Sequence, residues 1–222
     1  MRPLAWSIAA LLAVAGCTGS LFKSNAPPPT QYQLTASPAS SQVDIPVDLA
    51  VLTPRVRPGL DTDLIAALYS DRRLDYFAGA RWSGPLDEVV QDLALQAFRA
   101  RAKLKSLHTD ESAFASGYWL ELEVADFQAE YARSRAAGPG APPVAHVHLL
   151  GRVGGSVDRR LLGQFEADER APAADNRLAA IVEACNQAAD AALAKIVEGT
   201  AETIATTRSA QNVANPPTSS AR

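Results

Sequence analysis

From Gly117 to Ala132 the chain reads GYWLELEVADFQAEYA, an alternation long enough to constrain the whole fold. Tyr118, Leu120, Leu122 and Val124 occupy even positions, with Glu121 and Glu123 between them. That is the period of a strand with one buried and one wet face. The apolar parity then switches, because Phe127, Ala129 and Tyr131 fall on odd positions. One extra residue near Ala125-Asp126, a β-bulge, keeps both halves on the same face. Such a strand cannot stand alone: it needs partners along its edges and apolar helices over its greasy side.

Partners are legible on both sides in sequence. After the loop RSRAAGPGAPP, Ala145, Val147, Leu149 and Val153 resume the alternation. GGSVD turns the chain, and Leu161, Gly163, Phe165 and Ala167 return it, an antiparallel meander. Upstream, Tyr32 to Thr35 reads as a first short strand and SPASSQVDIP as a loop. Val47, Leu49 and Val51 alternate with Asp48 and Ala50 in a strand ended by Pro54. Between Leu64 and Trp82, two short strands flank an SDRR turn, with Tyr69, Tyr76 and Phe77 favouring extended backbone. The alternative there is a short helix capped by Asp61 or Thr62.

Two helices supply the cover. In SGPLDEVVQDLALQAFRARAKL, Ser83 is placed to cap, Pro85 sits in the first turn, and Asp87 and Glu88 face the positive end of the dipole. Leu86, Val89, Val90, Leu93 and Ala97 make its apolar face, and Arg99, Arg101 and Lys103 close it. From Asp175 onward, Leu178, Ile181, Val182, Cys185, Ala189, Ala192, Leu193 and Ile196 keep three-four spacing, and Gly199 weakens the end. The expectation is an α+β fold, an antiparallel or mixed sheet with two amphipathic helices packed on one face. It occupies residues 31–204 as a single domain, followed by a disordered tail over 205–222.

The N-terminus has a different logic. Leu4 to Gly16 is apolar but shorter than the ~20 residues of a membrane span, and fits the apolar core of a signal peptide. Val14-Ala15-Gly16-Cys17 resembles a bacterial lipobox, making residues 1–16 a leader and Cys17 the acylated first residue. An ordinary secretory leader cut at an A-x-A site, Ala13 to Ala15, is the alternative. Residues 17–30, rich in proline, serine and glycine, read as a lipidated flexible tether. With Cys17 acylated, Cys185 is the remaining thiol and no internal disulfide can form.

Little here suggests chemistry. His146 and His148 share one strand face but lack a visible third ligand, so no metal site is assigned. Cys185 falls in the middle of an apolar helix stripe, a core position. Asp61 with Asp63, and Glu121 with Glu123, read as turn and solvent-face residues. No nucleophile elbow or dinucleotide-binding spacing is present, so no catalytic residue and no cofactor are assigned. A net charge of −3 without a basic block excludes a nucleic-acid footprint. Aromatics amount to 6% of the chain, which draws attention to Tyr76, Phe77, Trp82 and Trp119 as candidate partner-binding residues. Trp119 is the most pointed of them, because it falls on the charged side of its strand.

The lipobox, the proline-rich tether, QYQLTAS, RPGLDTDLIAALYSDRRLDYFAGARWSGPLDEVVQDLALQAF, LELEVADFQAEY and the alanine-rich terminal helix together resemble the ABC-type transport auxiliary lipoprotein family. The resemblance runs from about Gln31 to Val197 and is to the PqiC-like group associated with MCE (mammalian cell entry) lipid transporters. It implies a non-enzymatic, periplasm-facing lipoprotein of the outer membrane. Its implied partners are an MCE-domain protein and the permease and ATPase of an ABC-type phospholipid transporter. Thr18, where aspartate would direct inner-membrane retention, agrees with outer-membrane sorting. The alternative implication is a domain that itself binds or relays lipid in an apolar cavity.

Overall fold

The alternating segment forms β7 (Tyr118–Tyr131), and the rest of the sheet is built on it. The structure is a computed structural model that describes residues 27–110, 116–132 and 141–214. On one side of β7 lie β8 (Val144–Gly155) and then β9 (Leu161–Pro172), both antiparallel to their neighbours. On its other side β2 (Val43–Val51), β3 (Arg55–Val56) and β4 (Leu64–Tyr69) follow one another along its length, each parallel to it. Beyond β2 comes β6 (Ala102–Thr109), and beyond β4 come β5 (Leu74–Trp82) and β1 (Thr30–Tyr32). The sheet is mixed and the architecture is the α+β one that the sequence leads to expect.

The bulge stands where the parity switch puts it. Val124 pairs with Leu149 and Asp126 with His148, leaving Ala125 as the extra residue. Leu120, Leu122 and Val124 before it, and Phe127 and Ala129 after it, are all buried on one side. The hairpin reading of Leu64 to Trp82 also holds: β4 and β5 are antiparallel around the SDRR turn.

Other boundaries move. The first strand is Thr30–Tyr32, slightly earlier than Tyr32 to Thr35. β2 begins at Val43 and takes in Pro46, which the sequence reading put in a loop. Its ladder to β6 slips between Ile45 and Asp48, which accommodates a residue that has no N–H to donate. Helix α1 (Leu86–Arg101) is shorter than the run to Leu104. Ala102 turns extended (φ −131°, ψ 141°) and opens β6, where Ala102 is buried and Lys103 and Lys105 are exposed. Ser83 does not cap α1. Pro85 occupies the N-cap position, and the N–H of Leu86 finds the carbonyl of Thr62 at 3.2 Å.

Helix α2 (Leu178–Ala214) is longer than expected. Residues 205–214, read as tail, continue it, because no residue before Pro216 breaks a helix and Thr207 hydrogen-bonds back to the carbonyl of Thr203 at 2.9 Å. Residues 215–222 lie outside the described residues. Gly199 is not an ending either. A Cβ there would stand 2.8 Å from the ring of Phe165, and one at Gly151 on β8 would stand 2.5 Å from it. The two glycines make room for that ring between helix and sheet.

The sheet therefore has two unlike faces. Both helices pack on one of them. There Leu49, Val51, Leu120, Leu122, Val124, Val147 and Leu149 meet Leu93 and Phe98 of α1 and Ile181, Leu193 and Ile196 of α2 in one core. The other face carries Glu121, Glu123, Asp126, Gln128 and Glu130 on β7, His146, His148 and Arg152 on β8, and Glu166, Asp168 and Arg170 on β9.

Candidate functional site

Cys17, the predicted acyl attachment point, lies outside the described residues, and the chain enters the fold at β1. The four aromatic candidates do not form one surface. Trp82 is only 1% exposed, with its ring edge-on to Phe127 at 5.8 Å, so it belongs to the core and not to a partner surface. It alternates with the buried Ala80 just ahead of the helix, a parity that marks both as inward. Phe77 is half-buried against the same core. Tyr76 is exposed and donates its hydroxyl to the carbonyl of Gly59 at 2.7 Å. In register Tyr76 shares the level of Gln128, nine positions along β7 from Trp119. That separates the two by roughly 30 Å.

Trp119 is half-buried on the helix-free face, at the start of β7. Its indole lies against Gly154 on β8, where a Cβ would come within 2.0 Å of the ring. Its Nε1–H donates to the carbonyl of Gly155 at 3.3 Å. The indole borders a groove of about 650 Å³ with Ala50, Leu52, Arg55, Asp110 and Glu121 among its walls. Arg55 pairs with Glu121 at 2.6 Å, and Arg152 reaches the same carboxylate at 3.6 Å. Asp110 accepts from Thr53 and from Gln91. Partial burial pushes its carboxyl up, but these hydrogen bonds outweigh that and hold it below the usual aspartate range. The groove is thus an aromatic wall among charged side chains, the Arg55–Glu121 pair, the hydrogen-bonded Asp110 and, from the β8–β9 turn, Arg159.

Farther along the same face His146, 6% exposed, sits between two carboxylates, Nδ1 at 2.7 Å from Glu130 and Nε2 at 2.9 Å from Asp168. Arg170 bonds Glu130 at 2.6 Å. Burial raises the Glu130 carboxyl, but the contacts with His146 and Arg170 prevail and it ends below its ordinary value. His148 lies 3.4 Å from Glu166 and 3.7 Å from Asp126. Among the described residues no three His, Cys, Asp or Glu side chains converge as metal ligands. Cys185 lies on the buried face of α2, and burial pushes its thiol up to about 12, so it stays protonated at neutral pH.

Comparison with known proteins bears on the family and the fold. The family model described as the ABC-type transport auxiliary lipoprotein component matches residues 32–197. A crystal structure of a Xanthomonas campestris protein superposes with a TM-score of 0.70 at 22% identity, over 82% of this chain and 99% of its own. A second crystal structure, of an uncharacterised protein, gives 0.56 at 15% identity, over 78% and 98% respectively. At such identity the likeness is one of fold. No curated protein matches the chain.

Proposed function

Because this chain belongs to the ABC-type transport auxiliary lipoprotein family, we propose that it is a non-enzymatic docking subunit, acylated at Cys17 and held at the periplasmic side of the outer membrane. Residues 1–16 are then a discarded leader, 17–30 the tether, and the fold from residue 31 to the end of α2 the working domain. The MCE-domain protein of a phospholipid transporter, working with its ABC permease and ATPase, is the partner it meets. The observation that carries the docking role is Trp119, a large aromatic that the fold leaves beside a groove on the face no helix covers. Aromatic anchors of this kind dominate binding energy when a partner closes over them. Tethering raises the local concentration, so a modest interface suffices.

The test is capture of the MCE-domain protein by the acylated chain, with Trp119→Ala as the variant. Retention should fall at least tenfold while the thermal transition shows the domain still folded. Undiminished capture by a folded Trp119→Ala chain removes the groove from the interface. Phospholipid that copurifies stoichiometrically with the domain after its anchor is removed points instead to a lipid carrier.

A further inference from the structure

We propose that the tip of the β8–β9 hairpin is a second membrane contact, a small knob that seats on a phospholipid surface bearing anionic headgroups. Val157 is 98% exposed and Leu161 48%, so two of the most exposed large apolar side chains of the fold stand within one turn. Between them lie Arg159 and Arg160. Asp158 is used inside the turn: it accepts the N–H of Arg160 at 3.2 Å and pairs with that guanidinium at 3.4 Å. Arg159 has no ion-pair partner among the described residues, and its backbone is left-handed (φ 52°), unusual for a side chain of that size. The tip therefore offers aliphatic carbon and a net positive charge, with Arg159 standing where the turn also borders the groove beside Trp119.

Its base is braced. The N–H of Gly155 reaches the carbonyl of Arg160 at 2.9 Å, that of Ser156 reaches Gly117 at 3.0 Å, and the Trp119 indole is bonded to Gly155. A protein partner would have to supply a pocket for a valine that projects alone, whereas a fluid lipid interface deforms around it and places phosphates beside the arginines. Each contribution is weak, but the chain already hangs from the membrane in the reading above. β1 meets β5 at Ala80, toward the end of the sheet away from the tip, so the tip reaches the bilayer with the 12 residues between Cys17 and Thr30, at most ~45 Å, drawn out along the domain. The tether part of this inference rests on the Cys17 anchor; the chemistry of the tip does not.

The experiment uses full-length chain recovered from membranes with Val157→Cys labelled by an environment-sensitive fluorophore. Arg208→Cys, on the exposed side of α2, is the control label. Each is reconstituted with vesicles of phosphatidylcholine alone or with phosphatidylglycerol added. Flotation reads the anchor and emission reads the tip. The expected result is a blue shift at position 157, and not at 208, on the phosphatidylglycerol vesicles, reduced several-fold by Arg159→Glu with Arg160→Glu. Flotation without any shift overturns the tip contact and leaves the anchor standing. A shift without flotation supports the tip and sinks the anchor. Loss of both refutes the two together, and a shift that needs added MCE-domain protein makes the tip a protein contact and overturns the proposal.

Discussion

Strands β7 and β8 present two faces made from the same fourteen and twelve residues, yet the faces obey different rules. Leu120, Leu122, Val124, Val147 and Leu149 are all but inaccessible beneath two helices. Glu121, Glu123 and Arg152, on the opposite face of the same two strands, form ion pairs at 3.6 and 3.5 Å. The covered face derives its energy from apolar area removed from solvent, about 25 cal/mol per Å². Where the open face leaves its charges in solvent, their pairs contribute little to stability, since water competes for them. Stability and recognition are thus sorted by parity along a single strand, and substitutions should sort the same way.

The largest effect belongs to the covered face. Leu122→Ala, at a site that is 0% exposed, is expected to cost about 3–4 kcal/mol, the lost transfer energy plus the cavity left between helix and sheet. Glu123→Ala, one residue away, should change stability by less than about 0.5 kcal/mol. Urea denaturation of the two variants reads both. Comparable losses would mean that the open face is structural and would end the division proposed here.

A middle effect comes from the one place where the open face buries a charge network. Glu130→Gln removes an acceptor from His146 and Arg170, and should cost about 1–3 kcal/mol at neutral pH. The fold lowers the Glu130 carboxyl, so the folded state holds the ionised form better than the unfolded chain does. That stabilisation is complete above the ordinary glutamate value of 4.5 and drains away as pH falls from there through the lowered folded value. Denaturation midpoints measured between neutral and acid pH should therefore fall less steeply for Glu130→Gln than for the parent. Parallel acid limbs would show that the carboxylate contributes nothing specific to the fold.

The division also explains what could be read from the sequence. Strong periodicity was sufficient for β7, for its bulge and for the stripe of α2, because each buries one continuous face. β6 escaped notice because ARAKLK consists of good helix formers, and only its pairing with β2 decides for strand. The length of α2 was hidden for the converse reason: from 205 to 211 its residues are mostly exposed, with no apolar pattern to announce it. At the candidate site, Trp119 stands on the wet side where parity sets it, while Trp82 shares the buried parity of Ala80, a signal outweighed in the reading by its being one of few aromatics. The groove itself was invisible, since it joins residues from β2, β3, β7 and the β8–β9 turn.

The smallest expected effect tests the open face at its plainest point. Arg57 donates to Asp126 at 3.0 Å, beside the bulge, with the arginine side chain 61% exposed. Arg57 also reaches the carbonyl of Ala125 at 3.1 Å, so its position is fixed by the bulge as much as by the carboxylate. The Coulombic gain in such a wet setting is offset by the entropy of holding a long side chain still. A double-mutant cycle with Arg57→Ala and Asp126→Ala should return a coupling below about 1 kcal/mol that shrinks further in 1 M salt. A coupling of 2 kcal/mol or more that salt leaves unchanged would mean the pair is shielded, and the face that carries it would then have to be counted with the core.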